Sequence, residues 1–309
     1  MNTHPSSSHN AHTLKGLREG FKKVGKFHTP PALAKALSEL IPGKPDRVYD
    51  PTCGAGALLE VFTGAEKYGQ DIDAEALDDA RAKGVHAAHG DVLTSPAFMN
   101  QRFDAIVANP PFSIEWSPAP PGDPRFDVLP TVPTKSKADY AFIAHIIHML
   151  ADGGTAAVLC FPGVAYRGGR EQKIRAWMIE QNLIDRVIHI PGDTFVDTTI
   201  STIIMVIKKG RAAAPIVFEN REHNTQATAS VEEIRANDYN LSPGSYAPAP
   251  APEKEHFDAW AVQQQARRGI IKRLQADMRI DAMVCQFEGW DFEEHRRELI
   301  QAVQNFQPD

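Results

Sequence analysis

The sequence predicts an α/β protein: a doubly wound, mostly parallel, seven-stranded Rossmann-like sheet followed by a C-terminal helical extension. Three observations carry this. Strand-forming runs alternate with helix-period segments between residues 47 and 208, the β-α-β-α order of a parallel sheet covered on both faces. The first strand runs into Asp50-Pro-Thr-Cys-Gly-Ala-Gly56 and then a helix, the strand–turn–helix entry of nucleotide-binding sheets. A Pro/Ala run, residues 247–252, then separates this region from a stretch whose apolar residues recur at helical spacing.

The elements follow in order. Residues 1–13 lack an apolar core and an Arg-rich amphipathic pattern, so they read as a disordered tail and not as a targeting peptide. Leu14 to Val24 reads as a basic helix. Gly25-Lys-Phe-His-Thr-Pro-Pro31 is a turn signal before a helix over Ala32–Leu40, since proline suits a first turn. Strands are expected at Arg47–Asp50, Lys67–Gln70, Val85–Ala88 and Phe103–Ala108, with helices at Ala57–Phe62 and Ala74–Lys83 between them. Ser113 to Lys137 is irregular, with seven prolines or glycines in residues 118–133. A loop of that length inside a domain is expected to be a functional lid or a disordered insert. A helix at Asp139–Leu150, a strand at Gly154–Phe161, a helix at Glu171–Gln181 and strands at Ile184–Ile190 and Ile200–Lys208 complete the sheet domain, which spans 14–246. The Pro/Ala run is a semi-rigid linker, and 253–309 is a helical extension. Its apolar positions, such as Ile270, Ile271 and Leu274, either pack back on the sheet domain or dock a partner helix.

Composition narrows the class. At 42% hydrophobic, 309 residues suffice for one large domain with additions, and no run approaches the roughly 20 apolar residues of a membrane span. Cys53, Cys160 and Cys285 are scattered without a C-x-x-C pair, which argues against zinc and disulfides and for a reducing cytoplasm; no metal ligand set is expected. The net charge of −6 is unevenly laid out: residues 1–49 carry 8 Lys+Arg against 3 Asp+Glu, while residues 50–108 carry 4 against 10. The run Arg167-Gly-Gly-Arg-Glu-Gln-Lys-Ile-Arg175 is either a solvated helix start or a phosphate-contacting loop. Weak non-specific DNA affinity is expected from so few exposed positives.

Gly54 and Gly56 allow a sharp turn and close backbone approach to a ligand. The dinucleotide fingerprint is incomplete, since Leu59 stands at its third glycine. Asp71, at the tip of the next strand, is placed to accept both hydroxyls of a ribose, and Asp91, at the third tip, an exocyclic amine of adenine. Asp50 would repel a phosphate and attract an amino group, which favours S-adenosylmethionine over a dinucleotide. The bland alternative for each acid is capping of the following helix, and for Asp73 that is the preferred reading.

Ala105-Ile-Val-Ala-Asn-Pro-Pro-Phe112 ends the fourth strand abruptly, because proline lacks the N–H a ladder needs and fixes φ. Three stiff residues hold the Asn109 amide at a carboxyl-terminal strand tip, where ligands bind in such sheets.

In combination these motifs resemble the amino-methylating DNA methyltransferases, most of all the modification subunit of type I restriction systems. The resemblance covers roughly residues 14–246 and adds Phe27-His-Thr-Pro30, Phe161-Pro-Gly-Val-Ala-Tyr-Arg-Gly168, Ile190-Pro-Gly-Asp-Thr-Phe195 with Thr199, and Asp238-Tyr-Asn-Leu241. It implies N6-adenine methylation of DNA with S-adenosylmethionine as cofactor. Thr29, Thr52, Gly54, Asp71, Ile72, Asp91 and Val92 would line the cofactor pocket. Asn109, Pro110, Pro111 and Phe112 would form the catalytic motif, and a specificity or restriction subunit could dock on the C-terminal helices. Under the same resemblance the stretch Ser113 to Lys137 is a candidate lid or DNA contact. Two departures stand out: no counterpart of the large N-terminal helical domain and no target-recognition segment between 113 and 246. Some relatives close the target pocket with an aromatic from the strand that here reads Ile203-Ile-Met-Val-Ile207; its place falls to an aliphatic side chain or to Phe195. Methylation of RNA bases or of a protein glutamine amide, and a non-catalytic DNA-binding subunit of the same fold, are the alternatives.

Overall fold

The computed structural model describes residues 29–118, 121–192, 194, 201–250 and 258–305. The tail, the basic helix expected at 14–24, Phe27, His28, Phe195 and Thr199 lie outside the described residues. The chain divides into two compact units after Pro250.

The first unit is built on a sheet of β1 (Arg47–Asp50), β2 (Glu66–Asp71), β3 (Val85–His89), β4 (Phe103–Ala108), β5 (Leu150–Cys160), β6 (Ile184–Ile190), β7 (Thr202–Lys208), β8 (Ile216–Asn220) and β9 (Thr225–Ala229). Their order is β3-β2-β1-β4-β5-β7-β6-β8-β9. Neighbours pair in parallel except β5 with β7, β6 with β7 and β8 with β9. Among the described residues the expected seven strands are thus nine. The addition is a hairpin whose first strand pairs with β6 and whose second, Thr225-Gln-Ala-Thr-Ala, carries too little apolar character to read as a strand.

Side-chain alternation assigns the faces. Tyr49, Ile106 and Met205 join one buried cluster, while their neighbours Val48, Ala105 and Ile204 join the other. On the second face lie α1 (Pro31–Ser38), α2 (Ala57–Glu60) and α3 (Ala74–Ala82), through Leu33, Leu37, Leu58, Leu59 and Leu77. The first face is covered by α4 (Asp139–Met149) and α5 (Arg170–Glu180), through Tyr140, Ile143, Ile174 and Met178. A short α6 (Val231–Ala236), not expected from the sequence, opens on a capping box between Ser230 and Glu233.

Because the chain proceeds from β1 outward to β2 and β3 and then returns to β4 on the other side of β1, the strand order reverses between β1 and β4. Register pairs Tyr49 with Ile106, so the Asp50 tip and the Asn109 tip are neighbours.

The second unit is a helical pair, α7 (Ala259–Glu288) and α8 (Phe292–Gln304). Asp258 caps α7 by accepting from the Trp260 and Ala261 N–H groups, and Gly289 ends it at φ +71°. Among the described residues no helix is long and apolar enough to cross a membrane.

Candidate functional site

The loop after β1 turns on two glycines in the left-handed region, Gly54 at φ +47° and Gly56 at φ +76°. A Cβ on Gly56 would press against Ala80 Cβ at 3.3 Å, so the close seat of α2 on α3 depends on it. Around Gly54 nothing lies within 4 Å of a Cβ position, which leaves that side of the loop open. Beneath the loop, the glycine at 69 in β2 is equally required, because a Cβ there would sit 2.5 Å from Cys53 Sγ. Sequence reasoning missed Gly69, since nothing local marks it.

Asp50 is 1% exposed and accepts the Thr52 N–H at 2.9 Å. Burial above all lifts its carboxyl from 3.8 to about 8; the Thr52 hydrogen bond works against this and the charge of Asp71 with it. Asp50 is therefore largely protonated near neutral pH, not the standing anion that the sequence suggested. An arriving amino group would have to draw the proton off.

Asp71 sits at the tip of β2 as expected, with both carboxylate oxygens engaged. Oδ2 accepts the Gly54 N–H at 2.8 Å and Oδ1 the Asp73 N–H at 2.9 Å. It latches the glycine loop, and each oxygen keeps a lone pair for a hydroxyl. Asp73 caps α3, accepting from the N–H groups of Glu75 and Ala76. Asp91 is exposed and accepts the Leu93 N–H at 2.9 Å and the Thr94 hydroxyl at 3.1 Å, bonds that close the turn after β3, where no helix begins. Ile72 presents its side chain to solvent at 70% exposure beside this loop. Val92 does not line the pocket with its side chain: it is 3% exposed and packs with Phe126 and Phe142 in a third apolar cluster, leaving only its backbone available. Thr29 is half-buried just before α1, and Thr52 is half-buried in the loop.

The turn carrying Asp91 is held from below by Gln70, which is fully buried. Its Nε2 donates to the carbonyls of Gly90 and Ser95, and its Oε1 accepts the Ala97 N–H. From the side it is held by Arg125, 1% exposed, which donates to the Val92 carbonyl at 2.7 Å and the Leu93 carbonyl at 2.8 Å while paired with Asp123. The guanidinium also donates to His145 Nδ1, so the His145 Nε2–H donates to the Tyr49 hydroxyl at 3.1 Å. Burial, followed by the Arg125 charge, brings His145 down to about 3, which keeps it neutral.

Further contacts pin parts of the stretch 113–137. Arg125 and Phe126 are buried, the Trp116 indole donates to the Thr134 carbonyl, and the ends close through Trp116 N–H to Lys135 and Ala138 N–H to Ile114. Its described residues thus tie the chain leaving β4 to the turn after β3.

At the β4 tip Asn109 is half-buried, Pro110 buried, Pro111 exposed and Phe112 half-buried, packed in part on the cluster containing Leu33 and Leu37. Asn109 makes no side-chain hydrogen bond to any described residue. The Arg167–Arg175 run is a helix start as one of the two readings expected, with Arg170 and Lys173 in solvent, but its other two arginines are turned inward. Arg175 is 1% exposed and donates to the carbonyls of Tyr239, Val164 and Arg167. Arg167 pairs with Asp139 and the buried Glu171. Only Arg170 and Lys173 remain exposed cations.

An open cradle at Gly54, acids at three strand tips and an exposed apolar side chain at Ile72 fit an adenosyl amino acid without phosphates. Residues 15–228 match the family described as N-6 DNA Methylase. The type I restriction enzyme MpnII methylase subunit of Mycoplasma pneumoniae is 31% identical, over 84% of this chain and 61% of that protein. The type I restriction enzyme MjaIX methylase subunit of Methanocaldococcus jannaschii is 30% identical, over 61% of this chain and 38% of that protein. Among solved structures, the methyltransferase subunit of a type I restriction-modification system from Streptococcus thermophilus aligns with a TM-score of 0.66 at 28% identity, covering 72% of this chain and 59% of that one. The chain thus spans less than two thirds of the length of these relatives.

Proposed function

Since the chain belongs to the N-6 DNA methylase family, we propose that it transfers a methyl group from S-adenosylmethionine to the N6 nitrogen of an adenine in DNA. The base is flipped into a pocket formed by Asn109, Pro110, Pro111 and Phe112. One observation supports this most: the glycine loop and the Asn109 tip adjoin at the β1–β4 switch point, with no described residue hydrogen-bonded to the Asn109 amide.

The cofactor, when bound, supplies an electrophilic methyl group on sulfur. Gly54 and Gly56 give its amino-acid end a close backbone approach, and Asp50 receives its amino group. Asp71 accepts ribose hydroxyls on its spare lone pairs, with Thr29, Thr52, Ile72, Asp91 and the Val92 backbone around the adenosine. The target nitrogen is a poor nucleophile, because its lone pair is delocalised into the ring. The Asn109 side-chain oxygen and the Pro110 carbonyl accept from its two N–H bonds, which favours a pyramidal nitrogen with a localised pair. Proline's fixed φ holds that carbonyl in one orientation. Phe112 stacks on the base with its free part. Orientation and placed dipoles carry the rate, and no side chain needs to remove a proton beforehand. Extruding the base costs a few kcal/mol, less from a single strand.

The limits belong to the same proposal: a methyltransferase domain over 14–246, a linker over 247–252 and a helical extension over 253–309. Ile270, Ile271 and Leu274 on α7 are exposed, which suits docking of a specificity or restriction subunit. Incubation with methyl-labelled cofactor and DNA, RNA or protein, followed by digestion, tests the reading. Labelled N6-methyladenine from DNA is expected. Label in RNA or in glutamine would replace the substrate, and calorimetry showing no cofactor binding would favour a non-catalytic subunit.

A further inference from the structure

Directly after the target motif the chain does something unusual. Ser113 stands at φ +51°, the left-handed region that non-glycine residues rarely adopt. Its surroundings over-determine that conformation. The Ser113 N–H donates to Asp139 Oδ1 at 3.3 Å, and its hydroxyl donates to Asp139 Oδ2 at 3.4 Å. The same hydroxyl accepts from Arg167 Nη2 at 3.1 Å. Arg167 Nη1 reaches Asp139 Oδ2 at 3.5 Å and Glu171 Oε2 at 3.1 Å. Both carboxylates are 5% exposed and the arginine 14%. The guanidinium also lies over the Phe161 ring, 5.4 Å from its centroid.

The position is built for this side chain. A Cβ on Gly163 would fall 2.3 Å from Arg167 Nε, so the Pro162–Ala165 turn can carry the arginine across it only with glycine there. Four segments meet at one guanidinium: the chain leaving β4, the start of α4, the chain leaving β5 and the start of α5. β4 and β5 are adjacent and parallel, with Ala108 beside Val158.

We infer that Arg167 is a positioning residue for the target motif: by fixing Ser113 against Asp139 and the end of β5, it sets where the Asn109 amide and Pro110 carbonyl point. The lever is short and stiff. Only Pro111 and Phe112 separate Pro110 from Ser113, and two successive prolines have fixed φ. A shift of Ser113 is therefore passed to Asn109 instead of being absorbed. Only a forked guanidinium can donate to Ser113 on one nitrogen while holding both carboxylates on the other; an ammonium keeps the charge but loses the fork. The inference rests on the proposed methyl transfer.

The test uses the full chain with Arg167→Lys, Arg167→Gln and Ser113→Ala. Ser113→Ala leaves all the ion pairs in place and so folds whatever happens to the arginine variants. Each variant is expected to lose about tenfold or more in kcat with KM for S-adenosylmethionine within twofold, as misplacement of reacting groups does. The surface pair gives the control: Arg235→Gln, at an exposed partner of Glu180, changes neither. A second readout is independent of activity. The Asn109 side-chain amide resonances, identified by their loss in Asn109→Asp, should shift in the three variants while the Gly54 amide stays in place. Wild-type kcat in both Arg167→Lys and Ser113→Ala, or unmoved Asn109 resonances, overturns the inference. If the unmodified chain transfers no methyl group to any acceptor, the proposed function fails, and the resonance shifts alone decide the role of Arg167.

Discussion

Replacing Asp50 by asparagine separates stability from cofactor binding. The folded chain holds the Asp50 proton up to about pH 8, whereas an unfolded chain releases it around 3.8. Between those values the folded state binds more protons, so Asp50 makes stability fall as pH rises, levelling off above about 8. Each pH unit in that window is worth about 1.4 kcal/mol, so close to pH 7 the burden reaches about 4 kcal/mol as an upper limit. Asparagine keeps the carbonyl oxygen that accepts the Thr52 N–H and has no charge to bury. Asp50→Asn should therefore match the wild type in stability at about pH 4 and exceed it by a few kcal/mol close to pH 7. In a thermal melt that is roughly 2–4 °C for each kcal/mol. The same variant should bind S-adenosylmethionine at least about tenfold more weakly, since the carboxylate no longer meets the amino group. Calorimetry in buffers of different ionisation enthalpy supplies a further sign: at neutral pH the wild type should release a proton from Asp50 on binding, and the variant should lack that contribution. Melting curves of wild type and variant that coincide from acid to neutral pH would refute the reasoning, because Asp50 would then be ionised in the fold at no cost.

Three further outcomes are expected. Asn109→Ala should lower kcat by a factor of about 100 or more, as losing a placed transition-state partner does, while calorimetry shows cofactor affinity unchanged. Arg125→Gln leaves the Val92 and Leu93 carbonyls and Asp123 without their partner, so chemical denaturation should register a loss of about 3–5 kcal/mol, with faster proteolysis within 113–137. Gly69→Ala forces the Cys53 side chain aside and should weaken cofactor binding in the same calorimetric assay; an unchanged affinity would detach the cofactor from this loop.

What could be read from the sequence was whatever is punctuated locally. Asp50, Asp71 and Asn109 each stand where a strand runs into a turn; proline follows Asp50 and Asn109, and the Asp71-Ile-Asp73 run before a helix-period segment marks the third. The strand tips were therefore legible without the sheet. Gly69, Gln70 and Arg125 were not, because each matters only through a partner distant in sequence: Cys53, the 90–97 turn, or the Val92 and Leu93 carbonyls. Val92 was misplaced for a related reason. A residue next to a binding aspartate can face either way, and here the apolar cluster around Phe126 and Phe142 claims the side chain. The β8–β9 hairpin escaped because a strand at a sheet edge needs apolar residues on one face only, and β9 supplies little even there.

The buried arginines also change what the net charge means. Arg125, Arg167 and Arg175 count as three cations in the sequence, yet each is withdrawn into carbonyls or carboxylates. Glu171 and Asp139 go inside with Arg167, while Asp91 stays on the surface at the β3 tip. The surface around the strand tips is thus poorer in positive charge than a residue count implies, and Arg170 and Lys173 are what the 167–175 run still offers to a phosphate. A duplex held by so few cations is held weakly and with a shallow salt dependence. Under the proposed function, affinity for DNA must then come from elsewhere: from the stretch 1–49, with its 8 basic and 3 acidic residues, or from a partner. On that proposal the strand-tip pocket would recognise a base once presented, and presenting that base would be a separate task.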